Sequence, residues 1–205
     1  MVRRIVLATG NRGKAREFAA LLGSDWEICL QSELGVKPVA ETGDSFAANA
    51  LIKARHAAAA TGLPALADDS GLEVDALDGA PGVLSARYAG EAAGDADNLR
   101  LLLARMAAVP AGRRTARFRC VLAYVRGAED PAPLLVEGSW EGRIATSARG
   151  AAGFGYDPVF EDGASGLTAA ELPAERKNAL SHRGRALRAL REQLRERGEG
   201  RPAPA

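Results

Sequence analysis

Short apolar runs and helical patterns alternate along the first part of the chain. Ile5–Ala8 is an apolar run of strand length, and Ala15–Leu22 follows it with the composition of a helix. Trp26–Leu30 predicts a second strand. This order of strand, helix and strand is typical of α/β proteins.

An alanine-rich segment predicts one long helix, from about Phe46 to Ala60. Alanine has the highest helix propensity of all residues, and Gly62 marks the end of the pattern. Thr42 or Asp44 is the predicted N-cap, because a short polar side chain there accepts a hydrogen bond from a free backbone N–H.

The second half of the chain adds a hairpin and two further helices. Asp95–Met106 predicts a helix with Asp95 as its cap, and Phe118–Val125 and Leu134–Trp140 predict two strands joined by a polar turn. His182–Arg197 predicts a final helix. Its predicted inner face consists of Leu187, Leu190 and Leu194. The whole pattern predicts an α/β fold with a mixed sheet.

Composition and charge narrow the class of protein. The chain has 205 residues and a formal net charge of +1 at pH 7, which does not suit a nucleic-acid-binding polycation. No stretch approaches the roughly 18 apolar residues that span a bilayer, and charged residues interrupt any signal-peptide pattern. Cys29 and Cys120 lie in apolar runs without zinc-type spacing. We therefore expect a cytoplasmic protein with two buried thiols, although the sequence also permits a disulfide between them.

The segment Thr9–Lys14 has the layout of a phosphate-binding loop. It follows an apolar strand, contains two glycines, ends in a lysine and precedes a helix, whose N-terminus favours an anion. It is not a Walker A loop, because Ala15 stands where a magnesium-binding Ser or Thr would be. A metal would then need carboxylates from elsewhere in the chain. An ordinary strand-to-helix connection is the alternative interpretation.

Acidic residues supply candidates for that metal. Asp68 and Asp69 follow an apolar run, precede a predicted strand at Leu72–Leu77, and would point to opposite faces of an extended segment. Glu41 offers a further carboxylate before the long helix, and Lys53 on that helix could reach a phosphate. The alternatives are a turn at the two aspartates, helix-dipole complementation by Glu41 and a surface lysine.

Two segments near the C-terminus could bind a planar base. Phe154–Asp157 places two aromatic rings next to glycine, which permits close approach of a ligand. Lys177 and the segment Ser181–Gly184 supply hydrogen-bond donors for a carbonyl-bearing base or a phosphate. An aromatic corner and a solvated basic helix are the alternatives.

In combination these motifs resemble the inosine/xanthosine triphosphate pyrophosphatase family, which hydrolyses non-standard purine nucleoside triphosphates. The resemblance covers nearly the whole chain in order, and Ala48 is a small departure, since the family often has an acidic residue there. The matching segments are Thr9–Lys14, Glu41–Gly43, Asn49–Ala54, Ala67–Leu72, Gly79–Gly82, Ser85–Tyr88, Gly153–Pro158, Lys177 and Ser181–Gly184.

The resemblance implies an elongated two-lobed α/β fold with a substrate cleft between the lobes, assembled as a homodimer. Residues 1–198 would form this single domain, and residues 199–205 a flexible tail. The implied reaction is Mg²⁺-dependent cleavage of ITP, dITP or XTP to the monophosphate and pyrophosphate, which keeps these nucleotides out of DNA and RNA. No nucleic-acid or membrane partner is implied.

The resemblance also assigns roles to individual residues. Glu41 and Asp69 would bind the metal, Asp69 would activate water, and Asp68, Lys14 and Lys53 would assist catalysis. The implied triphosphate-binding residues are Thr9, Gly10, Asn11, Arg12, Gly13 and Lys14, with Ser70 also contacting the substrate. The implied base-binding residues are Phe154, Gly155, Tyr156, Asp157, Lys177, His182 and Arg183.

Three rival interpretations are weaker. A pyrophosphatase for modified pyrimidines does not account for the purine donor set at Ser181–Gly184. A nucleotide sensor without turnover would not need Asp68, Asp69 and Lys14 together. A nucleic-acid binder using the arginine-rich C-terminal helix does not fit the near-zero net charge.

Overall fold

A computed structural model describes residues 3–22 and 26–198 of the chain. These residues form six strands and five α-helices, joined by turns and three short 3₁₀ helices. The strands are β1 (Arg3–Ala8), β2 (Trp26–Leu30), β3 (Ala65–Val74), β4 (Thr115–Val125), β5 (Leu134–Ile144) and β6 (Phe160–Asp162). The helices are α1 (Arg12–Leu22), α2 (Phe46–Thr61), α3 (Asp95–Arg105), α4 (Ala174–Leu180) and α5 (His182–Glu196).

All six strands belong to one sheet, with the order β2-β1-β3-β4-β5-β6. Strand β1 pairs in parallel with both β2 and β3, so Ile5 lies opposite Ile28 and Val6 opposite Ala65. Strand β6 pairs antiparallel with β5. The sheet is therefore mixed, which confirms the predicted α/β class, and β4 and β5 are neighbours as the predicted hairpin requires.

The chain divides into two compact units. Unit 1 runs to Asp69 and includes Cys120–Gly138 and the chain from Arg183 onward, whereas unit 2 comprises Ser70–Arg119 and Ser139–His182. Each unit has its own cluster of buried apolar side chains. The prediction of a single two-lobed domain stays a prediction, and the expected tail at 199–205 lies outside the described residues.

The core of unit 1 joins side chains from both ends of the chain. Ile5 and Leu7 of β1 pack in one cluster with Phe18 of α1 and Leu122 of β4. The predicted inner face of the last helix is confirmed, because Leu187, Leu190 and Leu194 are 1%, 1% and 2% exposed in the same cluster. The core of unit 2 is built around Phe118, Trp140 and Phe160, whose rings lie within 4.4 to 6.4 Å of one another.

One predicted helix start and two predicted N-caps are wrong. Helix α1 begins at Arg12 rather than Ala15, because the side chain of Asn11 accepts hydrogen bonds from the N–H groups of Gly13 and Lys14 at 2.8 and 3.0 Å. Ser45, rather than Thr42 or Asp44, caps α2. Gly94, rather than Asp95, is the N-cap of α3.

The region around the two aspartates also differs from the prediction. Asp68 and Asp69 lie inside the ten-residue strand β3 rather than before a strand or in a turn. Strand β3 ends at Val74, and Asp75–Leu77 forms a 3₁₀ helix instead of continuing the predicted strand. Strand β6 and helix α4 had not been predicted.

The structure also bears on the two cysteines and on the expected lack of a membrane-spanning segment. Cys29 and Cys120 are both buried free thiols. Within 3–22 and 26–198, no helix combines the length and the apolar character that crossing a bilayer requires.

Candidate functional site

Asp68 and Asp69 are adjacent on β3 but contact different groups. Successive side chains on a strand point to opposite faces, as the sequence predicted. Asp68 is 1% exposed and contacts Lys14, Arg183 and Cys120, whereas Asp69 is 6% exposed and contacts Lys53. The two carboxylates therefore experience different electrostatic environments.

Asp68 is a buried carboxylate paired with two cations. Its Oδ1 pairs with Nζ of Lys14, and its Oδ2 lies 3.4 Å from Nε of Arg183. Burial alone would raise the pKa of Asp68, but the charges of Lys14 and Arg183 outweigh it and hold the pKa well below its usual range. Asp68 therefore stays ionised.

A buried thiol is the third neighbour of Asp68. Sγ of Cys120, on β4, donates to Oδ2 of Asp68 at 3.3 Å. Burial, followed by the negative charge of Asp68, raises the pKa of Cys120 well above its ordinary value. The thiol therefore stays protonated and acts as a hydrogen-bond donor rather than as a nucleophile.

Arg183 extends this cluster to helix α1. Its Nη1 pairs with Oε2 of Glu17, and the whole residue is 2% exposed. Burial would lower the pKa of Arg183, but Asp68 and Glu17 raise it above its ordinary value. The resemblance assigned Arg183 to the base. The structure places it in unit 1, in contact with two carboxylates.

Lys53 lies between two carboxylates on the other face of β3. Its Nζ is 2.8 Å from Oε1 of Glu41 and 2.8 Å from Oδ1 of Asp69, and its side chain is 14% exposed. Burial would lower the pKa of Lys53, but the surrounding charges, chiefly that of Asp69, raise it. Lys53 is thus a cation of the site rather than an ordinary surface lysine.

Asp69 has the opposite electrostatic balance to Asp68. Burial and, to a smaller extent, the charge of Glu41 raise the pKa of Asp69, although Lys53 opposes this shift. A carboxylate with a raised pKa binds a proton more readily than its neighbour. Of the two aspartates, Asp69 is the better proton acceptor.

The segment before α2 determines where Glu41 lies. The N–H of Gly43 donates to Oδ1 of the buried Asn49 at 2.8 Å, so the approach to the helix folds back on its first turn. A Cβ atom on Gly43 would lie 2.7 Å from Cβ of Ala48 and 2.8 Å from Oδ1 of Asn49. Only glycine fits there without displacing these groups.

The acidic pair Glu41 and Asp69 fits a hard divalent cation. Oδ2 of Asp69 is buried and has no hydrogen-bond partner among the described residues, so one carboxylate oxygen remains available to a cation. No group of three or more His, Cys, Asp or Glu side chains there could enclose a metal by itself. Mg²⁺ suits such a site, since it commonly binds one or two carboxylates and completes its shell with water and phosphate oxygens.

The N-terminal loop is ordered by its own side chains. Oγ1 of Thr9 accepts a hydrogen bond from the N–H of Asn11 at 3.1 Å, and Asn11 caps α1. Lys14 lies in the first turn of α1 and extends to Asp68. The side chain of Arg12 lies outside the described part of the structure, so its predicted role stays a prediction.

In unit 2, Asp157 brings together several of the predicted base-binding residues. Its Oδ2 accepts from Nζ of Lys177 at 2.7 Å and from the N–H of Phe154 at 2.8 Å. Nζ of Lys177 also lies 5.1 Å from the ring centroid of Phe154, which is a cation–π distance. A Cβ on Gly153 would lie only 2.1 Å from Oδ2 of Asp157, so a residue other than glycine would have to displace that carboxylate.

The other predicted base-binding residues in unit 2 have well-defined contacts. The ring of His182 stacks on Phe118, with 4.8 Å between centroids and an interplanar angle of 18°. The hydroxyl of Tyr156 donates to the carbonyl of Ser85 at 2.9 Å, and burial raises the pKa of Tyr156, so that it remains a donor. Ser70 is half-buried on β3.

Three residues that contact the candidate site residues were not predicted from the sequence. Glu17 and Cys120 both belong to the cluster around Asp68, and Asp95 contacts the Phe154–Asp157 loop. Glu17 could have been found, because it lies three residues after Lys14 on the same helix. Cys120 and Asp95 are distant in sequence from their partners, so no local signal identified them.

The fold and these contacts define an α/β protein with a mixed sheet and a buried cluster of carboxylates and cations. A model of the Ham1 family matches residues 5–193. A dITP/XTP pyrophosphatase of Methylococcus capsulatus is 60% identical over 196 residues, which cover 95% of this chain and 98% of that protein. The chain belongs to the Ham1 family.

Two further comparisons agree with this membership. A dITP/XTP pyrophosphatase of Vibrio parahaemolyticus is 58% identical over 194 residues, with 94% of this chain and 97% of that protein covered. The solved structure of a HAM1 protein from Coxiella burnetii superposes with a TM-score of 0.86 at 49% identity, over 95% of this chain and 99% of that chain. The resemblance drawn from the sequence motifs is confirmed.

Proposed function

We propose that this chain hydrolyses dITP, ITP and XTP between the α- and β-phosphates, releasing a nucleoside monophosphate and pyrophosphate. The observation that carries the proposal is the different environment of the two adjacent aspartates. Asp68 forms ion pairs with Lys14 and Arg183, whereas Asp69 forms its ion pair with Lys53, which also contacts Glu41. The names of the Ham1 relatives support dITP and XTP as substrates.

Phosphate binding is assigned to the start of α1. Lys14 provides a full positive charge in the first turn of the helix, where the helix dipole also favours an anion. Its contact with Asp68 fixes the direction of a long, flexible side chain before substrate arrives. Because the Lys14 side chain is already ordered, substrate binding loses less conformational entropy.

The metal and the attacking water are assigned to the other face of β3. Glu41 and Asp69 would hold Mg²⁺, which when bound supplies positive charge against the phosphate oxygens. Lys53 keeps the two carboxylates close together despite their like charge. Asp69 is the proposed proton acceptor for water, and general-base catalysis of this kind contributes about 10²- to 10⁴-fold to a rate.

Base selection is assigned to residues of unit 2. Hypoxanthine and xanthine carry a 6-oxo group where adenine carries an amino group, so donors such as Lys177 and His182 favour the oxo purines. If the amino group of adenine faced one of these donors, binding would lose about 1–3 kcal/mol for each mismatched contact. The Phe154 ring and the glycines beside it provide a face on which a planar base can stack.

The proposal includes a homodimer in the cytoplasm. The homodimer follows from the resemblance and the cytoplasmic location is the expectation drawn from the sequence, with which the two buried free thiols are consistent, since a reducing compartment keeps thiols free.

Pyrophosphate release from a panel of triphosphates tests the function directly. The full chain with Mg²⁺ is given ITP, dITP, XTP, ATP, GTP and a modified pyrimidine triphosphate. We expect fast release from the first three alone, because GTP shares the 6-oxo group but carries a 2-amino group that crowds or mispairs in the site. Tight ITP binding without turnover would instead support the nucleotide-sensor interpretation. Preferential cleavage of the pyrimidine would support the pyrimidine-specific one.

A further inference from the structure

The loop Phe154–Asp157 is short, with one glycine inside it and another, Gly153, directly before it. Gly153 and Gly155 have φ values of +81° and +60°, and glycine pays the largest backbone entropy on ordering. Inside the loop, the N–H of Phe154 donates to Asp157. On one side of Gly155, the hydroxyl of Tyr156 donates to Ser85.

The amide between these two aromatic residues is bound by a distant carboxylate. Oδ2 of Asp95, in the first turn of α3, accepts a hydrogen bond from the N–H of Gly155 at 2.7 Å. The bond joins residues 60 positions apart in the sequence. It is charge-assisted and short, which are features of a strong hydrogen bond.

Asp95 is not needed as the cap of its own helix. Gly94 is the N-cap, and its N–H donates to Oδ2 of Asp97 at 3.2 Å. Both aspartates lie in the first turn, where either one complements the helix dipole. The two differ in their partners: Asp95 accepts from the Phe154–Asp157 loop, whereas Asp97 accepts from the N-cap residue of the helix.

We propose that Asp95 is a positioning residue for base recognition. By accepting the Gly155 N–H, it fixes the peptide group between Phe154 and Gly155 and so sets the position of the Phe154 ring beside Nζ of Lys177. This inference rests on the proposed function, because it assumes that the loop binds the base. Its effect belongs to substrate binding, since the hydrogen bond that Asp95 accepts comes from the loop assigned to the base.

The first experiment needs no substrate. Amide hydrogen exchange of a peptide covering 150–158 is compared in the wild type and in Asp95→Ala, Asp95→Asn and Asp97→Ala. One hydrogen bond is worth about 1–1.5 kcal/mol, so Asp95→Ala should speed local exchange about tenfold. Asp95→Asn retains an accepting oxygen and should restore most of the protection. Asp97→Ala loses a similar helix-end contact and should leave this peptide unchanged. Unchanged exchange in Asp95→Ala would overturn the proposal.

The second experiment measures KM and kcat for ITP with the same variants. Asp95→Ala should raise KM about five- to tenfold and change kcat less than twofold, as expected for an interaction made equally in the ground and transition states. Asp95→Asn should recover the wild-type KM, and Asp97→Ala should resemble the wild type. An equal loss in both aspartate-to-alanine variants would show that helix stability alone is responsible. If the wild type fails to cleave ITP, the proposed function fails, while the exchange result still decides the role of Asp95.

Discussion

Nε of Arg183 lies 3.4 Å from Oδ2 of Asp68, and both side chains are almost completely buried. Arg183 also pairs with Glu17, so one guanidinium group contacts two carboxylates that come from β3 and α1. Because a buried charge is costly when its partner is missing, this cluster stabilises unit 1 only when it is complete.

Substitution of Arg183 by alanine should destabilise the protein strongly. Removing one partner from a buried ion pair typically costs about 3–5 kcal/mol, because the remaining charges stay buried. Urea unfolding measures the loss, and Arg185→Ala, an exposed position on the same helix, is the matched control. A loss below 1 kcal/mol would contradict the role of the cluster in stability. With ITP and ATP as substrates, the same variant tests the base-reading role, which predicts a larger loss with ITP.

Asp69→Asn should nearly abolish turnover while leaving the fold intact. The amide cannot accept the proton of an attacking water, and it is a poor ligand for a hard cation, so we expect kcat to fall at least about 100-fold. Pyrophosphate release and circular dichroism are measured together, with the exposed Asp44→Asn in the same unit as control. Near-normal activity would remove Asp69 as the base.

Gly153→Ala should cost more stability than Gly155→Ala. Both positions have positive φ, so an alanine at either one incurs about 1–2 kcal/mol of backbone strain. Only at position 153 does the added Cβ also meet Oδ2 of Asp157, at 2.1 Å, whereas at 155 it meets nothing within 4 Å. Thermal unfolding gives the loss of stability in each variant. The loss in Gly155→Ala reports the backbone strain alone, and the additional loss in Gly153→Ala reports the steric clash. Equal losses would mean that the Asp157 carboxylate can move away freely.

Stability should fall in acid partly through Asp130. The side chain of Arg126, assisted by the backbone N–H groups of Arg126 and Ala132, holds the pKa of Asp130 well below its usual range. A group with a lowered native pKa stabilises the fold above its unfolded pKa of about 4, and this stabilisation is lost as pH falls toward the native value. Urea unfolding at pH 7 and pH 3 should show a smaller pH dependence in Asp130→Asn. Glu129→Gln, at an exposed neighbouring position, should keep the wild-type dependence.

The sequence predicted regular elements well where the pattern was long. Strand β2 has the predicted bounds, and α2 extends only one residue beyond its predicted end, because Gly62 adopts the left-handed conformation that ends the helix. The caps were harder to predict. Ser45 and Gly94 compete with nearby polar residues, and only the three-dimensional path of the chain decides which one forms the cap.

Predictions about the candidate site succeeded where residues are close in sequence. The opposite faces of Asp68 and Asp69 follow from strand geometry alone. The contacts of Arg183 with Glu17 join residues 166 positions apart, and those of Lys53 with Asp69 join residues 16 positions apart. Periodicity contains no information on such pairs. The family resemblance supplied the residue types but not which cation meets which carboxylate.

The way the chain passes between units has a consequence for how the protein folds as it is synthesised. The core of unit 1 contains Ile5 and Leu7 from the beginning of the chain, and Leu190 and Leu194 from near its end. Unit 1 cannot complete its core until α5 has left the ribosome, and unit 2 is inserted within it in sequence. Contacts of such long sequence separation slow folding, because loop closure costs entropy before those contacts form. A nascent chain whose α5 has not yet emerged would therefore expose β1 and α1, and would need protection from aggregation until that helix can pack on them.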